Sequence, residues 1–266
     1  MKFNLQSIES LIFKLYRMIK IGKIEHGIKI IAIFVISNFA ALKIVSAQSK
    51  ISNKYGLPVI NNTKVLQKEI DEDPANEMID IKRFIPEIQL DLRYATSHNF
   101  MHQKLYPSIN TTFLRKAAAE KLKKIVNELK SENLNLAIFD AYRPYSVTEK
   151  MWEKVHDERY AADASKGSGH NRGAAVDLTL IDLKTKKELP MGTGFDNFSD
   201  TAHPDFSGLS QEVLQNRHLL KSVMEKYGFR QLSTEWWHFY LPNSSSFELL
   251  GIPFEDLENM DKRIIN

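Results

Sequence analysis

The sequence contains no cysteine. This absence excludes a disulfide scaffold, a thiolate zinc site and a cysteine nucleophile. Any bound metal must therefore be held by His, Asp or Glu, and any nucleophile must be a hydroxyl group or a water molecule. Lack of cysteine is also compatible with an oxidising compartment, although it does not indicate one.

A strong charge of either sign is missing as well. The 36 Lys and Arg residues are offset by 33 Asp and Glu residues, which leaves a formal net charge of +3 over 266 residues. The basic residues are scattered among the acidic ones, so we expect no nucleic-acid partner. Hydrophobic residues make up 43% of the chain, which is ordinary for a soluble globular protein with a real core.

The chain has no apolar run long enough for a full membrane span. The run from Ile30 to Leu42 is well short of the ~20 residues that a spanning helix needs. It follows a basic stretch and precedes Val45-Ser46-Ala47, the order typical of a secretory signal peptide. We predict a signal peptide over residues 1–47, cleavage after Ala47 and export to the periplasm. The alternative is an uncleaved anchor, which would be the protein's one membrane contact.

Hydrophobic periodicity predicts intermixed strands and helices without a regular βαβ rhythm. This pattern favours the α+β class, with a single compact domain built on a small, mostly antiparallel sheet with flanking helices. We place that domain at residues 81–266, and the polar stretch 48–80 is predicted to be a linker or an N-terminal extension. The predicted strands are 89–94, 134–139, 174–180 and 235–241, and the predicted helices are 112–130, 146–156 and 210–227.

Two short clusters carry metal-binding chemistry. His170 lies in a glycine-rich loop, and Asp177 follows on an apolar strand, where a carboxylate is costly to bury unless it is paired or bound to metal. Glu235 and His238 fall together in an aromatic segment. Two His, one Asp and a water form the four-coordinate arrangement of a catalytic zinc site. A nearby Glu can then act as the base towards the attacking water.

The spacing of Glu235 and His238 sets a condition on this hypothesis. Residues three apart on a regular strand point to opposite faces. Because the aromatic run predicts a strand, convergence requires a turn or bulge just before Trp236, and Ser233-Thr234 is the expected place.

Each candidate has an ordinary structural interpretation when taken alone. Asp177 can be a strand-end cap, Glu235 a surface acid, and Arg143 a salt-bridge partner rather than the group that neutralises an oxyanion. A lone His is more often a satisfied surface or core residue than a ligand. Among the other histidines, His203 and His218 are the competitors for a place on the metal.

The motifs together resemble a known family. SGHNRGAAVDLTL (168–180) and EWWHF (235–239) are similar to the SxHxxGxAxD and ExxH signatures of the zinc D-Ala-D-Ala peptidases. LRYATSHNF (92–100), DAYRP (140–144) and MGTGFD (191–196) match the dipeptidase branch in the same order. The resemblance covers about residues 81–245.

The resemblance implies a metal centre and two catalytic groups. One zinc ion per chain would be bound by His170, Asp177 and His238. Glu235 would be the catalytic base, and Arg143 would stabilise the transition state. The implied activity is zinc-dependent hydrolysis of the dipeptide D-Ala-D-Ala in cell-wall peptide turnover.

The same resemblance implies how the substrate is held. Tyr94 and Asp196 match the residues that bind the free ammonium group, and Ser168 would contact the substrate backbone or carboxylate. A pocket that is closed around the free amine accepts a dipeptide but has no space for a longer chain, which would make the enzyme a dipeptidase. The alternatives are a D,D-carboxypeptidase or peptidoglycan endopeptidase of the same superfamily, and a non-catalytic cell-wall binding module.

Overall fold

The computed structural model of the chain describes residues 50–264. The predicted signal peptide and its cleavage site at Ala47 lie outside the described residues. Within residues 50–264, none of the helices combines the length and apolar character that crossing a bilayer requires.

Short strands and helices alternate irregularly along the described chain. In chain order they are β1 (Lys50–Ser52), β2 (Pro58–Ile60), α1 (Thr63–Glu72), β3 (Met78–Asp80), α2 (Ile81–Phe84), β4 (Gln89–Leu90), β5 (Phe113–Arg115), α3 (Lys116–Leu129), β6 (Leu134–Asp140), α4 (Tyr145–Val155), β7 (Ala175–Asp182), α5 (Gln211–Lys226), β8 (Arg230–Gln231), β9 (His238–Tyr240), β10 (Leu249–Leu250) and α6 (Phe254–Ile264).

The main sheet has five strands in the order β4-β6-β7-β9-β8. Strand β4 runs parallel to β6, whereas the β6–β7, β7–β9 and β8–β9 pairs are antiparallel. Two smaller sheets have the strand orders β1-β2-β10 and β3-β5. The predicted α+β class with a mostly antiparallel sheet is confirmed.

Strands β6 and β7 form the centre of the main sheet and are buried along almost their whole length. Helix α3 packs its apolar side, including Leu122 and Val126, into the same core as Leu178 of β7. Removal of this apolar surface from water stabilises the fold at roughly 25 cal/mol per Å². Strands covered on both faces read as continuous apolar runs, which is why their sequence signal is strong.

Residues 50–80, the described part of the polar stretch 48–80, are folded. Strand β2 pairs in parallel with β10, so that Val59 lies opposite Leu249. Leu66 of α1 and Met78 of β3 are buried in a second apolar cluster. This stretch therefore contributes to the core that supports the C-terminal part of the chain.

Three predicted boundaries differ from the structure. In each case the backbone forms a local turn or pairs with a distant strand instead. The predicted strand 89–94 ends at Leu90, since residues 93–95 form a 3-10 turn. The predicted helix 112–130 begins only at Lys116, since the preceding residues pair with β3 as β5. The predicted strand 235–241 is limited to β9, because the chain turns at Trp236 and Trp237 before the strand begins.

Candidate metal and active site

Asp177 and His238 are brought together by strand register. They are directly opposed residues of the antiparallel β7–β9 pair, and such cross-strand neighbours have side chains within about 4.5–5.5 Å of each other. His170 comes from the loop that leads into β7. One ligand atom from each of the three side chains lies within 4.8 Å of the others.

The separations within this group suit tetrahedral zinc. His170 Nε2 lies 3.2 Å from His238 Nδ1 and 3.4 Å from Asp177 Oδ2, and His238 Nδ1 lies 2.8 Å from Asp177 Oδ1. Ligand bonds of about 2.0–2.1 Å at tetrahedral angles would separate the donor atoms by about 3.3 Å. The two distances from His170 Nε2 are close to this value, and the carboxylate of Asp177 lies near both rings, so the donor set suits a zinc ion after small side-chain adjustments.

The ring of His170 is held in the orientation that a ligand needs. Its Nδ1 lies 2.7 Å from the carbonyl oxygen of Ala141, which can only accept a hydrogen bond. The proton is therefore on Nδ1, and the lone pair of Nε2 faces Asp177 and His238. A second hydrogen bond of this kind is what fixes the tautomer of metal-binding histidines.

Glycine at position 169 allows the loop to approach the strand. A Cβ atom there would lie 2.9 Å from the Cβ of Ala175. The loop folds back on itself through hydrogen bonds from Ala174 N to Gly169 O at 2.9 Å and from Gly173 N to His170 O at 3.1 Å. A larger residue at 169 would push His170 away from β7.

Glu235 reaches the site because the chain turns before β9. His238 N donates to Glu235 O at 3.4 Å, which closes a turn over the two tryptophans between them. Trp236 and Trp237 are each 1% exposed, so their burial in the core holds the turn. The strand begins at His238 rather than at Glu235. The turn predicted at Ser233-Thr234 is confirmed, and a second turn follows at Trp236 and Trp237.

The carboxyl group of Glu235 lines the same cavity as the three metal-binding side chains. Burial raises its pKa to about 7, and Asp177 adds to this effect, while His238 and Arg143 oppose it. A carboxyl group with a pKa near neutrality can accept and release a proton at physiological pH.

Arg143 is both a salt-bridge partner and a wall of the cavity. Its Nε and Nη2 donate to Asp140 Oδ2 at 3.0 and 2.8 Å. Tyr106 donates its hydroxyl to the other carboxylate oxygen of Asp140 at 2.7 Å, and the ring of Tyr94 lies 5.0 Å from the guanidinium carbon. Neither Asp140 nor Tyr106 is among the site residues predicted from the sequence. Asp140 lies within the DAYRP motif, whereas nothing in the sequence singles out Tyr106.

Tyr94 and Asp196 form a hydrogen-bonded pair at another part of the cavity wall. The hydroxyl of Tyr94 donates to Asp196 Oδ1 at 3.0 Å, and the backbone N–H of Phe100 donates to Oδ2 at 3.1 Å. Asp196 has a left-handed backbone with φ of 58°. Burial raises the pKa of its carboxyl group to about 7, against the effect of these two hydrogen bonds.

Ser168 also lines the cavity, and its hydroxyl accepts a hydrogen bond from the backbone N–H of His170 at 3.1 Å. Its contact with a substrate stays a prediction. The competing histidines are not part of the metal group. The side chain of His218 is near Ser222, and the carbonyl of His203 accepts a hydrogen bond from Arg217.

The cavity has a volume of about 230 Å³, and ligand pockets typically measure roughly 300–1,000 Å³. It is therefore small. All eight site residues predicted from the sequence line it: Tyr94, Arg143, Ser168, His170, Asp177, Asp196, Glu235 and His238. The arrangement combines a metal-binding group, a carboxyl base, a guanidinium group and a hydrogen-bonded Tyr–Asp pair around one small cavity.

Comparison with known proteins agrees with this arrangement. Residues 74–256 match the profile of the peptidase M15 family, described as D-Ala-D-Ala dipeptidase. The chain belongs to this family. It is 35% identical over 180 residues to a D-alanyl-D-alanine dipeptidase of Escherichia coli (strain K12), an alignment that covers 68% of this chain and 92% of the relative.

Two enterococcal relatives are also named D-alanyl-D-alanine dipeptidase. The protein of Enterococcus faecium is 32% identical over 59% of this chain and 90% of its own length. That of Enterococcus faecalis (strain ATCC 700802 / V583) is 30% identical over 58% of this chain and 86% of its own length. As a member of the peptidase M15 family, the chain is a metallopeptidase.

The raised pKa of Asp196 predicts a pH dependence of stability. Its pKa of about 7 in the fold exceeds the usual 3.8, so the folded state retains a proton that the unfolded chain has lost. The free energy of unfolding therefore falls between about pH 4 and pH 7 and stays lower above that range. We expect the Asp196→Asn protein to lose less stability than the wild type between pH 5 and pH 8, as measured by urea unfolding of metal-free protein. Asp205→Asn, on an exposed residue, is the control, and an equal loss in all three proteins would contradict the prediction.

Proposed function

We propose that this metallopeptidase is a zinc-dependent dipeptidase that hydrolyses D-Ala-D-Ala to two molecules of D-Ala. The observation that carries the proposal is the presence, in one small cavity, of a His–Asp–His group and a partly buried Asp–Tyr pair. The first can hold a metal at a scissile bond, and the second can receive a free ammonium group. A free dipeptide presents both features within a few bond lengths.

One zinc ion per chain would be held by His170 Nε2, His238 Nδ1 and a carboxylate oxygen of Asp177. When bound, it supplies Lewis acidity to the scissile carbonyl group and to the attacking water. Burial raises the pKa of Asp177, but the two histidines beside it outweigh this effect and lower the pKa overall. The carboxylate is therefore kept in the ionised form that a ligand requires.

Glu235 is the base in this proposal. It takes a proton from the water as the water oxygen bonds to the carbonyl carbon. It then gives that proton to the nitrogen of the leaving D-Ala as the peptide bond breaks. A pKa near 7 is suited to both transfers, because the group must accept a proton in one step and release it in the next.

Arg143 would stabilise the oxyanion that develops on the carbonyl oxygen. Its ion pair with Asp140 uses Nε and Nη2, so the remaining N–H donors of the guanidinium are oriented by a fixed, buried carboxylate. Preoriented donors contribute most to catalysis when they need no rearrangement as charge develops.

Tyr94 and Asp196 would bind the substrate's ammonium group. An ammonium beside Asp196 favours its ionised form and satisfies a carboxylate that is otherwise costly to bury. An N-acylated substrate has no such charge and needs space for the acyl group. Ser168 is proposed to contact the substrate backbone or carboxylate.

The choice of substrate tests the proposed function against its superfamily alternatives. We expect purified zinc-loaded enzyme to release D-Ala from D-Ala-D-Ala with a kcat/KM at least about a hundredfold higher than from N-acetyl-D-Ala-D-Ala, because a site built to bind a buried polar group rejects analogues that lack it. Chromatographic measurement of free D-Ala provides both rates. Comparable rates would favour a D,D-carboxypeptidase or endopeptidase, and no release from either would favour a binding module.

Separate measurements of metal content and turnover test the roles of Glu235 and His238. Glu235→Ala should retain zinc, because Glu235 is not a ligand, and should lose turnover by about 10²–10⁴-fold or more. His238→Ala should lose both zinc and activity. His218→Ala serves as the control on an exposed histidine. A Glu235→Ala protein with normal zinc content and nearly full activity would disprove the proposed mechanism.

Export completes the proposal. With residues 1–47 as a cleaved signal peptide, the enzyme would act in the periplasm on dipeptide released from the cell wall. The mature protein should then begin at Gln48, which N-terminal sequencing of protein from the periplasmic fraction will determine. Intact Met1 on protein recovered from the cytosol would rule this out.

A further inference from the structure

The segment 190–203 carries Asp196 but has little regular structure of its own. Its one helical element is a 3-10 turn at residues 200–202. Backbone carbonyls in such a segment need partners from elsewhere in the fold. The partners determine where Asp196 lies relative to the metal group.

Arg217 on α5 supplies three of these partners. Its side chain is buried, with the residue 4% exposed. Nε donates to Met191 O at 2.8 Å, Nη2 to Thr201 O at 2.9 Å and Nη1 to His203 O at 3.1 Å. These carbonyls lie near the two ends of the segment, so one rigid guanidinium joins both ends to the same helix.

Trp236 links the same segment to the catalytic turn. Its backbone N–H donates to Ala202 O at 3.0 Å, and its indole Nε1–H donates to Thr193 Oγ1 at 2.8 Å. The guanidinium of Arg217 lies 5.9 Å from the Trp236 ring. Trp236 directly follows Glu235 in the chain. The segment that holds Asp196 is thus joined by hydrogen bonds to the turn that presents Glu235.

We propose that Arg217 and the Thr193–Trp236 hydrogen bond are positioning elements that set the distance between the amine-binding Asp196 and Glu235. They thereby restrict the enzyme to substrates of dipeptide length with a free amine. This inference rests on the proposed function. Its physical basis is that a shift of Asp196 by about 1 Å would lengthen its hydrogen bond to the ammonium group beyond about 3.6 Å, where such a bond is lost. The loss weakens substrate binding more than it slows the reacting step.

Kinetic measurements on Arg217→Gln test the proposal. We expect KM for D-Ala-D-Ala to rise about tenfold or more, with a smaller change in kcat, and the preference for the free over the N-acetylated dipeptide to decrease by a similar factor. Arg230→Gln is the matched control, because Arg230 is exposed on β8. A lower melting temperature with unchanged KM and preference would show a merely structural role and overturn the proposal.

Thr193→Val is a second variant that preserves side-chain volume and removes only the acceptor of the indole N–H. It should raise KM severalfold and shift the indole N–H signal of Trp236 in ¹H–¹⁵N spectra. The chain has three tryptophans, so only three indole signals have to be assigned. If Arg217→Gln does not fold, this variant decides the matter. A shifted indole signal with unchanged KM would overturn the proposal.

Hydrogen exchange of the metal-free proteins separates this proposal from the proposed function. Both variants should exchange faster in segment 190–203 than the wild type, with little change in α3. A wild-type protein without dipeptidase activity would refute the proposed function. The exchange rates of segment 190–203 would then be the test of whether Arg217 and Thr193 hold that segment in place. Unchanged exchange in the segment would refute the positioning role even in an active dipeptidase.

Discussion

The pairing of β7 with β9 is the constraint on which the rest of the site depends. It places Asp177 directly opposite His238, and a shift of one residue in the register would turn one of the two side chains to the other face of the sheet. The central β6–β7 ladder and the apolar core around it hold that register. His170 and Glu235 are then added from the loop before β7 and the turn before β9.

The site contains several buried or partly buried carboxyl groups, and these groups differ in the partners that the protein provides for their charge. Asp140 is fully buried, and burial raises its pKa, but the charge of Arg143 and hydrogen bonds from Arg143 and Tyr106 oppose this effect. Within residues 50–264 neither Glu235 nor Asp196 forms a salt bridge, and burial raises the pKa of each to about 7. Carboxyl groups left with unmet charge in a cavity are suited to chemistry or to a cationic ligand. Asp140, whose carboxylate is hydrogen-bonded, serves instead to orient Arg143.

The strength of the sequence-based prediction varied with the kind of residue. The α+β class and the central strands followed from apolar runs that the sheet buries on both faces. The eight site residues were identified through short motifs, and the structure places them around one cavity. Element boundaries were predicted less accurately where contacts with distant residues determine them. The local sequence around Phe113 predicts a helix, but pairing with β3 makes this residue part of a strand. The local sequence around Glu235 predicts a strand, but the buried Trp236 and Trp237 form a turn there. Tyr106 was missed altogether, because its hydrogen bond to Asp140 spans 34 residues and leaves no local pattern.

The amino-acid sequence alone determined the chemistry that is available: without cysteine, a metal must be held by His and carboxylate groups. The two motifs that contain His170, Asp177, Glu235 and His238 indicated which groups these are. Only the tertiary structure decided that they converge, that His170 presents Nε2, and that Arg143 is oriented by Asp140 and Tyr106. The physical reason is that periodicity reports burial along one element. Distances and pKa values depend instead on which elements pack together and how completely water is removed between them.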